Sequence, residues 1–152
     1  MAVAALAQTP KFTRETPISK SEVPDVVLKA FESAYPKAKA RGYAKVEVDC
    51  RPFYKIESVD GITHRNISYN TDGGVTKTEE RIAVADLPAE AKQVIQEQYP
   101  KAEVTSSEKV TQGDQVEYKV SVRKDGKLFD LQFDVNGKLM SAHEVKVNIV
   151  IR

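Results

Sequence analysis

One segment of the chain is written twice. Val23–Ala38 reads VPDVVLKAFESAYPKA and Leu87–Ala102 reads LPAEAKQVIQEQYPKA, an ungapped match 64 positions later. The same offset carries Lys45-Val46 onto Lys109-Val110, Tyr54-Lys55 onto Tyr118-Lys119, Gly73 onto Gly137 and Glu80 onto Glu144. Apolar positions follow it too: Phe31 with Ile95, Ile56 with Val120, Ile67 with Leu131, Tyr69 with Phe133 and Val75 with Leu139. A period of this size marks one supersecondary unit used twice, which bounds the fold more tightly than any local propensity.

Each copy opens with helical periodicity. Pro24 suits a first turn, where its missing N–H has no helical partner. Val27, Ala30, Phe31 and Ala34 then fall on one face. Pro36 disfavours helical geometry at Tyr35 and closes the element. Pro88, Ala91, Val94, Ile95 and Pro100 repeat the pattern. Afterwards the period drops to two. Val116, Tyr118, Val120 and Val122 alternate with polar residues, as do Phe129, Leu131, Phe133 and Val135, and a last strand is expected to place Val145, Val147, Ile149 and Ile151 on one face. Asp60-Gly61, Asp72-Gly73-Gly74, Asp125-Gly126 and Asn136-Gly137 supply the hairpin turns.

The expected fold is therefore α+β: two tandem α-β-β-β-β repeats, residues 22–85 and 86–152, forming an antiparallel sheet of about eight strands with both helices packed on one face. Residues 1–21 read as the tail of an export signal and a flexible leader, with 8–20 as leader or edge segment. Ala5-Leu6-Ala7 before Gln8 has the small-x-small form that signal peptidase accepts. Periplasmic or secreted placement is the corresponding expectation. No apolar run reaches the roughly 20 residues of a spanning helix.

Composition excludes several function classes. A net charge of +1, with acids and lysines interspersed, gives no field that would steer the chain to nucleic acid. The tyrosines and phenylalanines sit mostly at core parity, so no stacking platform emerges. His64 and His143 have no serine or cysteine motif around them, and no nucleophile–base pair can be assembled, so the chain reads as a non-enzyme. Asp134-Val135-Asn136-Gly137 opens like a calcium loop but lacks the later ligands, and a hairpin turn explains it better. No cofactor or metal is expected. Cys50 is the single cysteine, so no internal disulfide can form. A monomer is expected, with pairing through an exposed Cys50 as the lesser reading.

The run of Val23-Pro24 or Leu87-Pro88, amphipathic helix, Tyr35-Pro36-Lys37-Ala38 or Tyr99-Pro100-Lys101-Ala102, then strands punctuated by Asp72-Gly73, Asp125-Gly126 and FDVNGKL at Phe133–Leu139, resembles the PepSY-like, or beta-lactamase-inhibitor-like, group. The resemblance covers about residues 22–150. It implies an exported bacterial protein, with inhibition of a hydrolase by packing an open sheet face against it; its motifs specify architecture better than activity. Copy one departs at Arg51-Pro52-Phe53, where Pro52 is expected to weaken a strand.

A sheet with helices on one side leaves its other face free for an unknown exported or envelope protein. If Tyr54 and Ile56 face inward, Phe53 faces out; if Ala44, Val46 and Val48 face inward, Tyr43 faces out. Tyr43 and Phe53 are thus the expected aromatic anchors. Lys55, Glu57, Ser68, Lys119, Arg123 and Gln132 are their expected neighbours on that face, with Asn66, Asn70, Asp130 and Asp134 nearby. The alternatives are a small-ligand carrier with a pocket between helices and sheet, and a self-associating structural module.

Overall fold

The computed structural model describes residues 12–146. The export-signal residues Met1–Gln8 and the predicted strand positions Val147, Ile149 and Ile151 lie outside them. In chain order the elements are β1 (Thr13–Ile18), α1 (Asp25–Ala34), β2 (Lys39–Val48), β3 (Arg51–Asp60), β4 (Thr63–Tyr69), β5 (Val75–Arg81), α2 (Ala89–Gln98), β6 (Glu103–Gln112), β7 (Gln115–Lys124), β8 (Lys127–Phe133) and β9 (Leu139–Val145). All nine strands form one antiparallel sheet in sequential order.

The ninth strand is β1. It comes from the segment read as a leader or edge, and the edge reading is the one the structure bears out. The repeat explains why a strand belongs there. Ile18 pairs with Tyr43 at the end of β1. At the same offset Ile82 donates its N–H to Ser107 O at 2.9 Å, just beyond β5. β1 thus stands to the first unit as β5 stands to the second, and β5 closes one unit while opening the next. Before each helix a single 3-10 turn, Lys20–Glu22 and Val84–Asp86, leads in. The Glu22 carboxylate accepts hydrogen bonds from the Ser19 N–H at 2.8 Å and hydroxyl at 3.0 Å, which holds its pKa below the usual carboxylate range.

Both helices lie on one face. Under α1, Val23, Val27 and Phe31 pack with Ile56, Ile67 and Tyr69; under α2, Leu87, Ala91 and Ile95 pack with Val120, Val122, Leu131 and Phe133. Burying such side chains contributes about 1.5–3 kcal/mol each. Ala34, placed on the buried face by periodicity, is exposed at the last turn. The turn after β4, and its copy after β8, press against the first turn of each helix. A Cβ on Gly137 would lie 2.8 Å from Ala91 N, and one on Gly73 would lie 3.0 Å from Val26 O, and both glycines have positive φ. Pro52 does not interrupt β3. It pairs with Glu47 on β2, while pairing with β4 begins only at Tyr54, so no ladder is broken on that side.

One facing assignment is corrected. Tyr43 pairs with Ile56 and packs into the α1 core, so it points to the covered face. Ala44, Val46 and Val48 point the other way. The cause is a register shift between Ala40 and Gly42, where an extra residue on β2 reverses side-chain parity for the rest of the strand. The copy has the same shift between Val104 and Ser106.

Candidate binding face

Strand alternation carries the face opposite the helices across the whole sheet. On the first unit it is apolar at one margin. Pro17 faces Ala44, which faces Lys55, and Val46 faces Phe53. Ala44 is 7% exposed although no helix covers it. Phe53, Val46 and Val48 are half-buried. Phe53 is therefore the one expected aromatic anchor that the structure places on this face, and Val46, which the parity error assigned to the core, joins it. The signal that could have found Val46 is Gly42: a glycine inside a strand marks a bulge.

Lys55 is held on this face by Glu15 from β1 and, at 3.8 Å, by Glu57. Glu57 pairs with Asn66, and Lys55 with Ser68, so both expected neighbours share the face. Lys77 and Glu79 continue it on β5, bridged at 3.0 Å. Val110 follows on β6, 5% exposed and flanked by Glu79 and Glu117. Asn70 and Asp134 belong elsewhere. They build turns: Asn70 Oδ1 accepts the N–H of Asp72 at 3.0 Å and Gly74 at 2.9 Å, and Asp134 Oδ1 accepts those of Asn136 and Lys138 at 2.9 Å. An uncharged asparagine performs the same task as the aspartate, which assigns Asp134 to turn geometry. Among the described residues no group of three or more His, Cys, Asp or Glu stands close enough to hold a metal ion.

On the second unit the face becomes a depression of about 440 Å³, lined by Val120 and Leu131 together with Ser106, Glu108, Lys119, Ser121, Asp130, Gln132, Ser141 and His143. Its side chains are bonded to one another. Ser121 donates to Asp130 at 2.7 Å, Gln132 donates to Glu117 at 2.5 Å, and Ser141 donates to Gln132 at 3.3 Å. Lys119 differs from its copy, Lys55. The glutamate that would hold it, Glu79, is turned to Lys77, and the copy of Glu57 is Ser121. Lys119 is exposed, as is Arg123, which lies 3.7 Å from Glu103. His143 sits opposite Asp130 at the rim of the depression.

The helix side has its own polar cluster. Arg65 donates Nε–H to Glu80 at 3.0 Å and stacks its guanidinium 4.4 Å from the centre of the Tyr35 ring. Tyr69 is fully buried, its hydroxyl has no hydrogen-bond partner among the described residues, and burial pushes its pKa up to about 12. Between the helices and the sheet lie the two apolar cores. Cys50 lies exposed in the β2–β3 turn at φ 66°.

A family model described as "Putative beta-lactamase-inhibitor-like, PepSY-like" matches residues 11–77 and 53–141. No curated protein matches the chain. Among solved structures, a "putative periplasmic" protein from Bacteroides eggerthii superposes with a TM-score of 0.67 at 16% identity, over 80% of this chain and 88% of its own. A BLIP-like protein from Bacteroides fragilis gives 0.65 at 19% identity, over 85% and 92%. A third, from Bacteroides ovatus, gives 0.63 at 20%, over 80% and 86%. These likenesses carry the fold alone.

Proposed function

The chain belongs to the PepSY-like, beta-lactamase-inhibitor-like family, and from that premise we propose that it is a non-catalytic binding protein exported to the bacterial periplasm, engaging another protein through the uncovered face of its sheet. Three things support the reading. The family description is that of an inhibitor-like module. A solved relative of the same fold is described as periplasmic. No helix among the described residues is long and apolar enough to cross a membrane.

The observation that carries it is the bare face itself. Eight strand pairings hold one continuous sheet, both helices cover the same side, and the other side keeps Ala44 and Val110 buried and Val46 and Phe53 half-buried, with no element among the described residues over them. A covered core explains one side only. Apolar side chains surrounded by charged neighbours are the anatomy of an interface with a dry centre and a polar rim. In this reading Phe53 and Val46 anchor the partner, and Lys55, Glu57, Ser68, Lys119, Arg123 and Gln132 form its polar surround. Tyr43 has no part in it. The free state is monomeric.

The test is affinity capture from a periplasmic extract with wild type, a Phe53→Ala/Lys119→Ala variant, and a Lys29→Ala/Gln93→Ala variant changed on the exposed side of the helices. The expected result is one protein retained by wild type and the helix variant and lost by the sheet variant, all three melting alike. Equal retention by all three would sink the assignment of the face.

A further inference from the structure

Every internal strand of the sheet has both edges occupied, which leaves β1 and β9 as the two margins among the described residues. The margins differ. β1 is blunted, because Pro17 carries no N–H and Glu15 is held by Lys55. Its first end is tied down as well: the N–H of Phe12 donates to Asp49 Oδ1 at 3.1 Å and the N–H of Asp49 donates to Phe12 O at 3.0 Å. β9 contains no proline, glycine or lysine. Its register shift falls near Met140, and Ser141–Glu144 run on as exposed strand.

The internal repeat states what such an edge accepts. β9 is the copy of β5, and the far edge of β5 is filled by β6, with Thr78, Glu79, Glu80 and Arg81 facing Thr111, Val110, Lys109 and Glu108. The Ile82 N–H points at β6. By strand alternation those of Glu80 and Thr78 point there too. Their copies, Glu144 and Ala142, therefore turn their N–H groups to the free side. Glu80 has two cations near it, Arg65 by hydrogen bond and Lys109 as its strand partner. Glu144 has neither among the described residues, because Phe129 stands where the first unit has Arg65.

We propose that the free edge of β9 is a strand-addition site for an extended segment of a partner polypeptide. The segment runs antiparallel to β9, with a lysine or arginine opposite Glu144, a small β-branched residue opposite Ala142 and apolar residues opposite His143 and Val145. Main-chain hydrogen bonds supply the affinity and the cation supplies the register. The main-chain edge adjoins the bare face, whose depression the Ser141 and His143 side chains line, but its N–H groups are not part of that face.

A fluorescent peptide of the β6 sequence Glu103–Gln112, carrying E108V, is the probe, titrated against the full chain by anisotropy. Binding is expected to weaken about two- to fivefold, the size of an exposed ion pair, with Glu144→Lys in the protein or K109E in the peptide, and to recover when the two are combined. N-methylation of the peptide at the lysine should abolish binding without altering the protein. Absence of binding by the parent peptide, indifference to N-methylation, or a concentration-dependent mass showing β9 paired with a second copy would each overturn the proposal.

Discussion

Arg65 and Phe129 occupy one place in two copies of the same unit, and so do Tyr35 and Tyr99. In the second unit the position is apolar, an aromatic pair with ring centres 5.4 Å apart. In the first it is a guanidinium 4.4 Å from a tyrosine ring, with Glu80 to balance the charge. A similar exchange occurs in the cores, where Tyr43 and Ser58 stand in the first unit and Ser107 and Val122 in the second, so the larger side chain has changed places. Tyr69, the copy of Phe133, has not been compensated, since its buried hydroxyl has no partner among the described residues. Tyr69→Phe is expected to raise unfolding free energy by about 1 kcal/mol in chemical denaturation. The phenol's folded pKa of about 12 lies above its unfolded value, so the unfolded state loses its proton first. Stability should therefore fall as pH rises from 10 towards 12, and the variant should lack that contribution. A less stable variant would mean that the hydroxyl is bonded after all.

Among elements, the helices and hairpins were legible because their signals are local. Pro24 and Pro88, the 3.6 period, and Asp-Gly or Asn-Gly at the β3–β4, β4–β5, β7–β8 and β8–β9 turns mark where elements begin and end. The facing of β2 was not legible from periodicity, and only Gly42 hints at it. A bulge is one extra residue with no periodic trace, and it moved Tyr43 to the core and Val46 to the open face. β1 was obscured for another reason: a short margin strand with Pro17 and only Ile18 half-buried has no alternation to detect. The turns make a direct prediction. Gly61 and Gly137 both have positive φ, but only Gly137 meets the helix. Gly61→Ala should cost about 1 kcal/mol for backbone conformation alone. Gly137→Ala should cost more, about 2–4 kcal/mol, because the added methyl forces α2 away from the β8–β9 turn. Equal losses in thermal denaturation would show that the close approach is unimportant.

At the scale of the molecule, two hydrophobic cores share one sheet, and β5 belongs to both units. Disrupting either core should therefore be felt in both. Ile67→Ala and Leu131→Ala are each expected to cost about 2–5 kcal/mol, with fluorescence probes in the two halves reporting one coincident transition. Separate transitions would mean that the β5–β6 pairing does not couple the units. The same sheet has one face that no element among the described residues covers, and the repeat and the family pattern made that architecture readable from the sequence. The contacts of the bare face were only partly readable, because Lys119 is freed by what Glu79 does on a neighbouring strand, and no spacing in the sequence records that. The most direct test of the role assigned to this face is site-specific photo-crosslinking in the periplasm, with the reactive group placed in turn at Val46, Ser68 and Gln132 on the bare face and at Lys29 and Gln93 on the helices. A common protein adduct from the three sheet positions and none from the helices is the expected result; an adduct from the helices alone would contradict it.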